Sequence, residues 1–238
     1  MLVCLQGSHV CVCKEAFLSL NLVSLFTGAG GLDLGFHNAG FKTIWANEYD
    51  KTIWDTYTFN FPDAHLDTRT IKKIDSSEIP DCVGIIGGPP CQSWSEAGAL
   101  RGIEDSRGKL FYEYIRVLEA KQPLFFLAEN VSGILMQRHR EAFENILNGF
   151  ESMGYDVVFK LLNANDYDVP QDRKRVIIVG YHKSMGKRFE FPEPVRGKPT
   201  LLDSIGDMGE PEPSTEKNKA NNVADLEFPN HEYMNYLQ

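Results

Sequence analysis

Residues 22–36 read LVSLFTGAGGLDLGF, an apolar run over Leu22–Phe26 that breaks at Gly28, Gly30 and Gly31 and resumes as a short helical pattern. A buried strand that empties into a glycine loop and then a helix is the opening of a βα unit. Glycines there let the backbone approach a ligand, and the start of the following helix offers free N–H groups and the positive end of a dipole. The dinucleotide fingerprint G-x-G-x-x-G would need its third glycine where Asp33 stands, so a nicotinamide dinucleotide is disfavoured. Taken alone, the loop is also compatible with a plain strand-to-helix turn.

Outward from this stretch, apolar runs alternate with amphipathic segments. Strands are expected at Leu22–Phe26, Thr43–Ala46, Val83–Ile86, Leu124–Ala128, Asp156–Leu161 and Val176–Tyr181. Helices are expected at Lys51–Phe59, Leu110–Ala120 and Arg138–Ser152, where apolar residues recur every three or four positions. The pattern predicts an α/β, Rossmann-like fold with a mostly parallel sheet flanked by helices. It covers residues 21–183. Residues 1–20 stand apart as an extension, and 184–238, rich in Pro, Gly and charge, read as linker and the opening of a further region.

The composition is that of a globular protein, 42% hydrophobic and 24% charged, with no apolar run of the roughly 20 residues that a membrane span needs. A net charge of −9 argues against holding nucleic acid by bulk charge, so any nucleic-acid contact is expected to be local or helped by sequence outside this chain. Five cysteines with no spaced framework suit a reducing, cytoplasmic setting. Cys4, His9, Cys11 and Cys13 match none of the usual zinc spacings, and no metal is expected. The first twenty residues lack the basic start of a secretory signal.

Two further stretches carry chemistry. Glu48, in TIWANEYD at the end of the second strand, stands where the ribose hydroxyls of a nucleoside cofactor are expected in a doubly wound sheet; the plainer reading is an exposed carboxylate. Gly87–Trp94, GGPPCQSW, delivers Cys91 on a rigid turn fixed by Pro89 and Pro90. Cysteines are more often buried packing residues, as Cys82 is expected to be, but packing does not call for Gly-Gly-Pro-Pro, and Cys91 reads as a nucleophile.

FTGAGG, GGPPCQSW, Glu129-Asn130-Val131 and the run Gln171 to Arg175 (QDRKR) occur in the order found in DNA cytosine-5 methyltransferases, which the chain resembles from about Leu22 to Lys183. The resemblance is greatest to the GGCC-methylating, HaeIII-type branch, through ANEYDK, SRGKLFYEYIR, LLNANDY and FPNHEY. It implies S-adenosylmethionine as methyl donor, double-stranded DNA as partner, and the inner cytosine of GGCC as target. Phe26, Gly28, Gly30, Gly31, Leu32, Glu48, Tyr49, Thr70 and Pro89 are the implied cofactor contacts. Cys91 would add at carbon 6 of cytosine, and Glu129 would hydrogen-bond or protonate ring nitrogen 3. Arg173 and Arg175, alternating on one strand face, would hold the extruded base; Lys174, on the other face, reads as an edge charge. Ser93–Lys109, punctuated by three glycines, reads as a lid over the DNA.

The chain departs from the family at Thr70 and Val83, where aspartates are usual; Asp67 is the residue near enough to substitute for the first. Asp168 stands for a glycine, a mild change because Asp tolerates left-handed backbone. Against the resemblance, the chain also stops before most of the target-recognition region and two closing motifs, one of which completes the cofactor pocket. Either a second polypeptide supplies them or the chain is a shortened, non-catalytic remnant. An RNA cytosine methyltransferase is a more distant alternative, and amino-group methyltransferases are excluded because they need no thiol.

Overall fold

The computed structural model describes residues 20–90, 109–195 and 197–207. Cys91 and the Ser93–Gly108 stretch lie outside the described residues, as do residues 1–19 and 208–238.

The strands are β1 (Asn21–Leu25), β2 (Lys42–Asn47), β3 (His65–Asp67), β4 (Gly84–Gly87), β5 (Phe125–Val131), β6 (Tyr155–Asn163) and β7 (Lys174–His182). They form one sheet in the order β3-β2-β1-β4-β5-β7-β6, with β1 to β5 paired in parallel. Helices α1 (Gly31–Asn38), α2 (Trp54–Asn60), α3 (Lys109–Lys121) and α4 (Arg140–Ser152) lie between strands, and α5 (Leu201–Ile205) follows β7. This is the mixed α/β architecture that the alternating pattern predicts. All the expected strands form, with ends that shift by at most three residues, whereas β3 and α5 are additions that the pattern does not announce.

The last strand, β7, runs against its neighbours. Lys183 N donates to Gly154 O at 2.9 Å, and Ala164 N donates to Arg173 O at 2.9 Å. Both pairs sum to the same register, so β6 and β7 run antiparallel. His182 N also donates to Leu124 O, which puts the end of β7 beside the start of β5 and makes that pair antiparallel as well.

The chain divides into two compact units, the boundary falling within β6 and β7. In the first, residues 20–160 with 176–190, side chains alternate across the sheet. Val23, Leu25, Ile85, Phe126 and Ala128 face one hydrophobic cluster, while Leu22 and Ile86 belong to another. In α3, Phe111, Tyr114, Val117 and Leu118 recur at helical spacing, and α4 does the same with Phe143, Ile146 and Phe150. Phe126 and Phe150 meet with ring centroids 4.4 Å apart. Burying such side chains stabilises the fold by about 1.5–3 kcal/mol each.

In the second unit, residues 161–175 with 191–207, polar contacts dominate. Tyr167 OH donates to Pro192 O, Asn165 Nδ2 donates to Pro199 O, and Lys198 pairs with Asp166 at 3.0 Å. Thr200 and Asp203 form a reciprocal cap at the start of α5. Asp168 takes φ 65°, the left-handed conformation that its replacement of a glycine requires.

Among the described residues no helix is long and apolar enough to cross a membrane, and no group of three or more His, Cys, Asp or Glu could hold a metal ion.

Candidate active site

The register of the parallel strands sets the site. Leu25 aligns with Asn47 and with Gly87, Asn47 with Asp67, and Gly87 with Ala128. One line therefore crosses five strands, and Phe26, Glu48, Gly88 and Glu129 each stand one residue beyond it, at the carboxyl edge. The sheet order turns between β1 and β4, since β2 continues from one side of β1 and β4 from the other. In open α/β sheets ligands bind outside the carboxyl ends at such a switch point. The glycine loop that follows β1 lies there.

The loop is shaped by left-handed backbone at Phe26 (φ 54°), Gly28 (φ 57°) and Gly30 (φ 90°). Gly30 is held under the ring of Phe61, which a Cβ would strike, while space is open beside Gly28 and Gly31. Glu48 grips the loop from β2: its Oε2 accepts from Gly28 N at 2.9 Å and its Oε1 from Asp50 N at 2.8 Å. A carboxylate has about four acceptor directions, so each oxygen retains capacity for one more donor. Two acceptors on one rigid group, next to an open glycine loop and a helix start, fit a ribose diol and the nucleoside that carries it.

Other expected contacts divide. Tyr49 is 71% exposed, beside Glu48 and available to a flat ring. Leu32 is half-buried, its side chain packed against the Leu22, Val83 and Ile86 cluster. Thr70 is half-buried just past β3 and caps a 3-10 turn through its carbonyl. The carboxylate of Asp67, nearby, is engaged by Arg69 through N, Nε and Nη2, at 2.7–3.2 Å. That pairing, with the Arg69 hydrogen bonds first among its causes, holds the Asp67 carboxyl below the usual range.

The Gly-Gly-Pro-Pro turn is built closely. A Cβ at Gly87 would collide with Leu25 O, and one at Gly88 would stand 3.2 Å from Glu129 Oε2. Pro89 is buried, and its carbonyl accepts from Asn130 Nδ2 at 3.3 Å while Asn130 Oδ1 accepts from Val131 N. Asn130, 2% exposed, thus ties the end of β5 to the turn leading to position 91, a role that its place in the Glu-Asn-Val run does not disclose. Cys82, by contrast, is a packing residue whose thiol burial pushes up to about 12.

Arg173 and Arg175 belong to the second unit. Arg173 N donates to Asn163 Oδ1 at 2.9 Å, and the Arg175 guanidinium bonds Lys174 O at 2.8 Å. Lys174 is exposed at the head of β7.

A family profile described as C-5 cytosine-specific DNA methylase matches residues 20–236. The chain is 52% identical over 217 residues to the Type II methyltransferase M.MthTI of Methanothermobacter thermautotrophicus, covering 91% of this chain and 65% of that protein. It is 57% identical over 219 residues to the Type II methyltransferase M.FnuDI of Fusobacterium nucleatum, covering 90% and 63%. The chain therefore spans somewhat under two thirds of the length of these relatives. A solved structure described as a prophage-encoded DNA modification methyltransferase from E. coli superposes with a TM-score of 0.71 at 32% identity, covering 82% of this chain and 56% of that one.

Proposed function

Because the chain belongs to the C-5 cytosine-specific DNA methylase family, we propose that it methylates carbon 5 of cytosine in duplex DNA, as the modification enzyme of a restriction-modification system. The target we infer is the inner cytosine of GGCC, supported by the HaeIII-type stretches ANEYDK, SRGKLFYEYIR, LLNANDY and FPNHEY. S-adenosylmethionine, when bound, supplies an electrophilic methyl group. Glu48 would hold its ribose, the Gly28–Gly31 backbone its charged end, and Phe26, Tyr49, Thr70 and Pro89 its remaining surface.

The observation that carries this reading is the shared edge on which Glu48, Gly88 and Glu129 stand one residue beyond a common register line. Cytosine carbon 5 is a poor nucleophile until a thiolate adds at carbon 6. In the proposed sequence Cys91 forms that S–C6 bond, and Glu129 protonates nitrogen 3 as negative charge reaches the ring. Methyl transfer to carbon 5 would leave S-adenosylhomocysteine; a base then removes the carbon 5 proton, the electrons released expel the Cys91 thiolate, and Glu129 takes back the nitrogen 3 proton. The base must leave the stack first, at a cost of about a few kcal/mol, and Arg173 and Arg175 are assigned to holding it out. Residues 21–183 would form the catalytic part and 184–238 the opening of the region that reads the target, in a cytoplasmic protein.

The test is covalent trapping. DNA with 5-fluorocytosine at the inner position of GGCC cannot lose its carbon 5 substituent, so with cofactor present it should remain attached to the protein through Cys91. Equal trapping by Cys91→Ser protein would remove the nucleophile assignment; trapping on unrelated sites at the same level would remove GGCC.

A further inference from the structure

Asp33 is 1% exposed in the first turn of α1, and four hydroxyl groups converge on its carboxylate. Oδ2 accepts from Ser24 Oγ at 2.9 Å and from Thr27 Oγ1 at 2.7 Å. Oδ1 accepts from Thr43 Oγ1 at 2.9 Å and from the Tyr57 hydroxyl at 3.0 Å. Those four bonds fill the acceptor capacity of a carboxylate. Burying such a group is costly unless it is fully hydrogen-bonded, and the nearby start of α1 favours its negative charge.

The two oxygens do different work. Oδ1 joins Thr43 of β2 to Tyr57 of α2; the Thr43 bond lies within the scaffold, while the Tyr57 hydroxyl also meets Thr27. Oδ2 holds Ser24 and Thr27, which bracket Phe26, and Phe26 has φ 54°, a conformation that an aromatic residue adopts only under constraint. Thr27 in turn anchors the loop on both sides: its N–H donates to Asn47 O at 3.2 Å and its carbonyl accepts from Gly30 N at 3.1 Å.

We infer that Asp33 is a positioning residue for the cofactor site: through Ser24 and Thr27 it holds the turn at Phe26 and so presents the Gly28–Gly31 backbone to its ligand. The inference rests on the reading of that loop as the cofactor loop. It concerns a side chain that touches no substrate and acts only through the two hydroxyls.

The experiment compares the two sides of the carboxylate in the full chain, reading amide hydrogen exchange at Gly28–Gly31 and calorimetric binding of S-adenosylhomocysteine. Thr27→Val should speed loop exchange and weaken binding, each at least about tenfold, and Thr27→Ser should restore both to within about threefold. Thr43→Val removes a bond to the same carboxylate on the scaffold side. It should lower the melting temperature comparably while leaving both loop readouts within about twofold of the parent. Asp33→Asn should behave like Thr27→Val, and if it does not fold, the Thr27 and Thr43 variants still decide. Equal loop exchange in Thr27→Val and Thr43→Val, or no change in Thr27→Val, overturns the inference. If the parent protein binds no S-adenosylhomocysteine, the cofactor reading fails separately, and the exchange comparison still decides whether Asp33 positions the loop.

Discussion

The Glu48 carboxylate accepts the backbone N–H of Gly28 at 2.9 Å, a bond between residues twenty positions apart that joins the end of β2 to the tip of the glycine loop. The other oxygen of the same carboxylate accepts from Asp50 N. Loop shape thus depends on the side chain to which the proposed function also assigns the ribose.

Glu48→Ala should weaken S-adenosylhomocysteine binding by about 1.5–3 kcal/mol, the usual loss for a hydrogen bond to a charged group. Glu48→Gln should be nearly as damaging, because its amide would oppose a donor to either Gly28 N–H or Asp50 N–H. Titration calorimetry on the two variants checks this, and unchanged affinity in both would leave Glu48 as a loop anchor only.

At position 87 the obstacle to a side chain is backbone: an added methyl would run into the carbonyl oxygen of Leu25, which cannot rotate away. Gly87→Ala should cost about 1–3 kcal/mol of stability, as overpacking does. Thermal unfolding of the variant beside Gly31→Ala, whose Cβ meets open space, isolates the effect.

Stability should fall as alkali is added. Burial pushes the Cys82 thiol up to about 12 and raises the Tyr155 and Tyr114 hydroxyls, and burial followed by the Asp33 charge raises Tyr57. The folded chain therefore keeps protons that the unfolded chain releases from about pH 9 upward, where an ordinary thiol ionises. The associated stability is complete below that point and is lost as the pH climbs toward 12. Denaturant titrations at pH 8, 10 and 11 should give declining midpoints, and Cys82→Ala should show a shallower decline.

The two arginines and the lysine between them should separate in assays of methyl transfer. Arg173→Ala and Arg175→Ala should each lower kcat/KM by about 2–4 kcal/mol in transition-state terms, whereas Lys174→Ala should remain within about threefold. A Lys174→Ala loss equal to the others would assign the whole strand head to binding DNA by charge.

Strand positions in the sheet are legible in the sequence because β1, β4 and β5 are apolar runs ended by glycines or by a polar edge, a pattern that only a buried parallel strand needs. β3 is not, since His65–Asp67 is three residues long and carries one apolar side chain. The reversal of β7 is also hidden, because its apolar run looks the same in either direction. In the site, Glu48 can be read from its distance past the glycine loop. Asp33 can be read only as the residue that spoils a dinucleotide fingerprint. Its partners lie 9, 6, 10 and 24 positions away, and nothing local announces that four hydroxyls converge on it. Asn130 is similar, since its bond to Pro89 O spans 41 residues.

The antiparallel pairing of β6 with β7 bears on the order in which the chain folds. Every parallel neighbour in the sheet requires a crossover before its ladder can close, and such long-range closure is slow. β6 and β7 are separated only by residues 164–173 and can close as a hairpin, an event of about 1–10 microseconds in isolated examples. Their register should form early, offering a template edge to which β5 and then β4 and β1 add. Pulse-labelled hydrogen exchange during refolding should therefore find amides of Tyr155–Asn163 and Lys174–His182 protected before those of Asn21–Leu25. Simultaneous protection of all seven strands would mean instead that the hairpin gains nothing from being local.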